Sequence, residues 1–266
     1  MKNIYFSNLL EEKFPKSFAI IISVLNKYNI SFEFIKNTKD IWCRDYMPIK
    51  AAENKYIQFK YEPTYLKDYE DIKTNPLLLH KQLNINPIIS DINIDGGNIV
   101  KYKDKVIMTD KVFKENPKFE KDELIEKIKF ILEINELIII PKQPYDMFGH
   151  SDSMVRFIDD NTVLINDFSI ESVKYIEQLY NALEKFNLNI VQMTYSKSFL
   201  NKYKWGAYLN FVEVGNVLLM PVYGTDEDKY AIDFFSAVFP EKIIEPVKIP
   251  QIIKKGGAMH CISWIK

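Results

Sequence analysis

The sequence predicts an α/β protein made of five similar supersecondary units packed in a ring, and three observations lead there. Amphipathic, helix-like stretches recur at 15–28, 72–83, 119–133, 172–186 and 226–239, with starts roughly 50 residues apart, the scale of one repeated unit. Short β-rich segments run between them in the order strand, strand, helix, strand. A polar or glycine-containing segment then follows each helix: IWCRDYMP, NIDGGN, YDMFGHSD, KWGAYLN and KKGGAMHC. The period alone leans toward a doubly wound sheet of irregular spacing. The five segments decide for the ring, because equivalent places in five ring units would face one axis. That would gather Asp45, Asp95, His150, Asp152, Asn210 and Cys261 around one pocket. No Ser/Gly linker or low-complexity tract breaks the pattern, so residues 1–266 read as a single domain.

In chain order, IYFSN opens the first unit, the helix at 15–28 shows apolar residues three and four apart, and FEFI returns as a strand. YIQFK leads to the second helix at 72–83. NIVKY and VIMT precede the third helix at 119–133, and LIII follows it. MVRFI and TVLI lead to the fourth at 172–186; YLNFVEV and NVLLM lead to the fifth at 226–239, with KIIE behind it and CISWI ending the chain.

A mass of 31.4 kDa with 47% apolar residues is enough for a real core. With 35 basic and 36 acidic residues the net charge is −1, so neither nucleic acid nor an anionic membrane is an expected partner, and a small molecule or a protein is. No uninterrupted apolar run approaches the ~20 residues that span a bilayer. The opening apolar patch is broken by Asn8 and Glu11, too short for a signal sequence. Two cysteines without an export signal predict a cytoplasmic protein with reduced thiols.

The five polar segments hold six of the eight glycines, one of the two arginines, both cysteines and two of the three histidines. Cys261 reads either as a small buried thiol or as a nucleophile, and the second reading requires an acid/base partner and a charged pocket. Asp45 and Asp152 are candidates for a carboxylate pair, stable as two anions only with a cation between them. A guanidinium suits that gap, because its planar fork meets a carboxylate on each side. Structural alternatives are an Asp45–Arg44 ion pair and a turn cap by Asp152. His150 is preferred over His260 as acid/base: if CISWI is a strand, His260 points away from Cys261. His80 falls in a helix-like run and reads as structural, as does Cys43, a packed thiol in a strand-like stretch. Trp42 reads as core or wall. HSD lacks a supporting ligand cluster, so no metal is expected.

WCRDYMP resembles the W-x-R-D-x-G-P segment of agmatine deiminases and bacterial peptidylarginine deiminases. DGGN resembles their E-G-G-N, GHSD their G-H-x-D, GAYLNF their Y-x-N-F, and GGAMHC their G-G-G-N-x-H-C, in the same order from residue 42 to the C-terminus. The resemblance implies the pentein fold, a fivefold pseudosymmetric α/β-propeller of ββαβ units, and deimination of a small guanidino compound such as agmatine. By position it implies Cys261 as nucleophile, His150 as acid/base and Asp95 as the group that orients and charges His150. It implies Asp45 and Asp152 as holders of the guanidinium, with Asn210 and Trp42 at the pocket. No cofactor is implied, and a homodimer is compatible. Three departures stand out. Asp95 replaces glutamate, so its contact to His150 is expected to need a backbone shift or a water. Met47 replaces a glycine, and Ala258 and Met259 replace Gly-Asn. Agmatine deiminases also carry a longer N-terminal region with an early tryptophan-rich stretch near the substrate, whereas the sequence here opens almost at the first expected strand, so the resemblance leaves the substrate's identity open. An amidinotransferase, an arginine or peptidylarginine deiminase using the same site, and a non-catalytic binding protein on the same fold are the alternatives.

Overall fold

The computed structural model describes residues 3–204 and 206–266; Trp205, in the KWGAYLN segment, lies outside them. Fifteen strands among the described residues form five three-stranded sheets. Each sheet repeats one plan. An antiparallel pair is followed by a strand that returns to lie parallel to the pair's second member, which needs a long crossover connection, and in one sheet the C-terminal strand supplies the pair's first member.

The chain separates into two compact units. The first combines residues up to 44 with 193–266. One of its sheets is formed by β1 (Ile4–Ser7) and β2 (Phe32–Ile35), which run parallel, with the C-terminal strand, Ser263–Ile265, antiparallel to β1. Helix Pro15–Lys27 makes the crossover, starting with proline where its missing N–H costs nothing. The other sheet is Val212–Val214, Val217–Val222 and Ile243–Lys248, crossed by helix Glu227–Val238. One core serves both sheets, with Ile4, Phe6, Leu25, Leu219, Val247 and Ile262 buried together.

The second unit, 45–192, contains three sheets. They are β3 (Ile49–Ala52), β4 (Lys55–Lys60) and β5 (Ile88–Asn93); then β6 (Val100–Tyr102), β7 (Lys105–Thr109) and β8 (Glu136–Ile140); then β9 (Val155–Phe157), β10 (Thr162–Ile165) and β11 (Asn189–Gln192). Helices Lys121–Leu132 and Val173–Glu184 cross the last two; Ser172 caps the latter by accepting from the Tyr175 N–H. Leu124 and Ile128 pack with Ile57 and Met108, and Leu179 and Leu183 pack with Ile138 and Val163, so each helix buries its apolar stripe on sheet residues.

Four of the five expected helices are present, and the one at 72–83 is not. That stretch holds only turns and the 3₁₀ segment Pro76–Leu78. Proline disfavours α geometry at Asn75 and supplies no N–H of its own, and the Asn75 side chain accepts from the Leu77 N–H to start a tight turn instead. Leu77 and Leu78 are exposed, so their apolar spacing marks no buried face. The expected strand at Cys43 is also replaced, by the short helical segment Cys43–Tyr46. Among the described residues no helix is long and apolar enough to cross a membrane.

Candidate active site

In the second unit, Asp95 precedes the 3₁₀ turn Gly96–Asn98, which links β5 to β6. His150 precedes the turn Ser151–Ser153, which leads into β9. Both turns follow a sheet's third strand, so the repeated plan puts chemically distinct residues at equivalent places. Asp45, Asp95, His150 and Asp152 are all buried. His150 lies between two carboxylates: Nε2 is 3.0 Å from Asp95 Oδ2, and Nδ1 is 3.6 Å from Asp45 Oδ1. The Asp95 contact is direct, so of the two expected adjustments the bridging water is not needed. Asp45 Oδ1 also accepts from the Gly97 N–H at 3.1 Å. A Cβ on Gly97 would stand 2.6 Å from His150 Nδ1 and 2.7 Å from Asp45 Oδ1, so the DGGN segment needs glycine there for close approach.

Two residues the sequence reading missed complete this cluster. Lys111, at the start of the short helix Lys111–Glu115, is buried and forms an ion pair with Asp95 Oδ2, the oxygen that also meets His150. Tyr65 lies edge-on to both His150 and Phe148. Neither belongs to the five polar segments, and no local pattern marks them.

The charges act on one another. Burial raises the Asp45 carboxyl to about 6; His150 and Lys111 pull the other way, while Asp95 and Asp152 add to the rise. Burial by itself would lower His150, but the charge of Asp45 and the hydrogen bond to Asp95 outweigh it and raise the imidazole to about 9. Asp95 is held below the usual carboxylate range: burial opposes ionisation, but Lys111 and His150 more than offset it. At neutral pH the cluster therefore holds ionised carboxylates around an imidazolium, which can donate a proton and attract a cation. Among the described residues no group of His, Cys, Asp and Glu is arranged to hold a metal ion.

In the first unit, Cys261 lies in a turn that ends before the strand beginning at Ser263, and is 7% exposed. The expectation that Cys261 and His260 alternate along a strand is thereby corrected; the turn, not a pleat, sets their directions. Asn210 shapes this turn. Its Oδ1 accepts from the Ala258 N–H at 3.0 Å and the Cys261 N–H at 3.2 Å, and its carbonyl accepts from the His260 N–H at 2.9 Å. Asn210 Nδ2 is buried without a hydrogen-bond partner among the described residues. From the other side, the Arg44 N–H donates to the Cys261 carbonyl at 3.1 Å, and the Cys43 thiol donates to the Ile262 carbonyl at 3.0 Å. Cys43 is thus the packed thiol the sequence suggested. Trp42 packs on the core and over Gly257, where a Cβ would stand 2.5 Å from the indole ring.

Known proteins resemble the chain over most of its length. The profile of the Porphyromonas-type peptidyl-arginine deiminase family matches residues 14–265. A Mycoplasma capricolum protein assigned as an agmatine deiminase is 22% identical over 214 residues, spanning 68% of this chain and 59% of that relative. The chain thus covers little more than half the length of this relative. The solved structure of C. jejuni agmatine deiminase superposes with a TM-score of 0.78 at 18% identity, covering 99% of this chain and 92% of that one. A Porphyromonas gingivalis structure assigned as an arginine deiminase gives 0.80 at 15% identity, covering 99% and 95%. These likenesses establish the pentein fold.

Proposed function

The chain belongs to the Porphyromonas-type peptidyl-arginine deiminase family, and from that premise we propose that it hydrolyses the guanidine C–N bond of a small guanidino compound of the agmatine type. The observation that carries the reading is the buried imidazole held between Asp45 and Asp95, with Asp152 in the turn that follows it. Such a cluster attracts a cation and supplies a proton in one place, as cleavage of a guanidinium C–N bond requires.

In this reading Asp45 and Asp152 bind the guanidinium by charge-assisted hydrogen bonds. The thiolate of Cys261 adds to the guanidinium carbon and gives a tetrahedral adduct. Its C–N bond breaks as the His150 imidazolium donates a proton to the departing nitrogen, releasing ammonia and leaving an amidino-thiol intermediate. His150, now neutral, takes a proton from a water that adds to the same carbon. Collapse of the second adduct breaks the C–S bond, returning the thiolate and giving the ureido product, while the hydroxyl proton passes to solvent and protonates the released ammonia to ammonium. Asp95 orients His150 and balances its charge. Asn210 sets the turn that presents Cys261, and Trp42 lies beside that turn. We take the whole of 1–266 to work as one domain without a cofactor. Both cysteines are free thiols, which suits a reducing, cytoplasmic setting.

A panel of agmatine, arginine, a methylated arginine and an arginine-containing peptide, assayed for ammonia and ureido product, tests this. The expected result is stoichiometric formation of both products from agmatine. Release of neither product from any of the four overturns the reading. Transfer of the amidino group to an added amine in preference to water would reassign the chain as an amidinotransferase.

A further inference from the structure

We propose that Lys111 is a positioning residue for this reaction, clamping Asp95 against His150 and supplying the positive charge that keeps the imidazolium a usable proton donor. The proposal rests on the deiminase reading above. Lys111 is 8% exposed, and a buried ammonium is tolerated only where anions surround it. Its Nζ pairs with Asp95 Oδ2, the oxygen that stands 3.0 Å from His150 Nε2. One carboxylate oxygen is therefore shared by an ammonium and an imidazole. A second anion, Glu115, lies 3.8 Å from Nζ, and the Tyr65 ring centroid lies 4.8 Å from it. Glu115 is itself anchored by Thr64, whose N–H and hydroxyl both donate to Oε1, and by the Asn93 amide on Oε2. The ammonium is thus fixed from several directions, and Asp95 with it.

The charge balance gives this clamp a chemical consequence. Asp45 and Asp95 act on the imidazole, and Asp152 acts in turn on Asp45; without a counter-charge these carboxylates would hold the imidazolium proton too tightly for transfer to a leaving nitrogen. Lys111 lowers both Asp45 and His150 from where the carboxylates and burial would leave them. The charged and titratable groups acting on His150 or on this pair are Asp45, Asp95, Asp152, Lys111, Glu115 and Tyr65. Removing Lys111 makes the cluster more negative. That would bind the substrate cation no worse, but it would slow proton donation.

A merely structural lysine predicts none of these directions, so Lys111→Met separates the two roles. The ring-proton NMR titration of His150 in the substrate-free protein, assigned through His150→Asn, should move upward by about one pH unit or more. With agmatine, kcat should fall ~10- to 100-fold, part of the contribution of a positioned acid/base group, while KM stays level or falls. Lys111→Arg, which keeps the charge, should return the titration midpoint and most of kcat. Lys111→Gln, which keeps a donor to Asp95 without the charge, should also raise the midpoint and serves if the methionine variant does not fold. An unmoved midpoint in the folded neutral variant, a kcat within about twofold of wild type, or no recovery by arginine overturns the proposal. Should wild-type protein turn over no guanidine, the deiminase reading falls, while the titration still decides whether Lys111 governs His150.

Discussion

In residues 45–192 the candidate side chains are held by charge, since His150 meets Asp45 and Asp95, and Asp95 meets Lys111. Around Cys261 the holding runs mainly through the backbone: N–H groups donate to Asn210 Oδ1, the Cys261 carbonyl accepts from Arg44 N–H, and the Arg44 guanidinium Nε donates to the His260 carbonyl at 3.5 Å, with no carboxylate in these bonds. The two clusters should therefore fail in different ways. A charge-held cluster responds to pH and to isosteric swaps that remove one charge. A turn held by backbone hydrogen bonds is indifferent to pH and responds to loss of an acceptor or to an added atom.

The largest effect expected is one that leaves both scaffolds in place. Cys261→Ser substitutes a hydroxyl for a thiol in the same turn, and a hydroxyl is far less acidic. Turnover should be abolished, while denaturation midpoints agree to within about 1 kcal/mol, the scale of a modest core change. Retained activity would remove Cys261 from the mechanism.

The contrast sharpens with pH. His150 is raised from 6.5 to about 9, so the stability it contributes is present in full below 6.5 and is lost as pH rises toward 9. Its size is on the order of 3 kcal/mol. Asp45, raised from 3.8 to about 6, has the same sign in a lower window, costing stability as pH rises through 3.8 to 6. Urea denaturation from pH 6.5 to 9 should show a falling midpoint in wild type and a nearly flat one in His150→Asn. The same groups predict a bell-shaped kcat/KM with limbs near 6 and 9. Equal slopes in both proteins would mean that charge does not hold this cluster.

Single charges come next. In the proposed reaction Asp45→Asn and Asp152→Asn would each remove one charged acceptor from the guanidinium, about 1.5 to 3 kcal/mol of charge-assisted hydrogen bonding, read as a loss in kcat/KM. Asp45→Asn should do something Asp152→Asn does less: lower the alkaline limb, because the charge of Asp45 is the leading contribution that raises His150. Wild-type kcat/KM in both would return the aspartates to structural roles.

Local patterns made much of this legible. Helices such as Pro15–Lys27 and Glu227–Val238 bury one stripe each, and that stripe is written in the spacing of Phe18, Ile21 and Leu25 or of Ala231 and Phe235. The polar segments stood out because rare residues cluster in them. What was hidden depends on context. β5 and β11 are partly exposed and break clean alternation, and the β3–β4 and β4–β5 ladders both shift register, so β3, β5 and β11 carry weak signals. Proline at 76 overrode apolar spacing in 72–83. Lys111 was invisible because its meaning lies in a contact to Asp95, sixteen residues away, and to Tyr65 in another connection. Nothing local separates it from the many lysines that lie in solvent.

Asn210 offers the gentlest test, on the backbone-held side of the comparison. Its Oδ1 is the acceptor for both the Ala258 and the Cys261 N–H groups, and Asn210→Ala would remove that acceptor from both. Such a loss costs about 1 to 3 kcal/mol, and because the two lost bonds join backbone N–H groups to an uncharged amide oxygen, the deficit should be the same at pH 6.5 and at pH 9. Asn210→Asp keeps an acceptor at the same reach and should recover the turn, but it brings a carboxylate into a buried place and so makes the stability of this cluster depend on pH for the first time. Denaturation midpoints of wild type and the two variants at both pH values decide the matter. A pH-dependent deficit in the alanine variant, or none at all, would show that the cysteine turn is held by something other than the amide of Asn210.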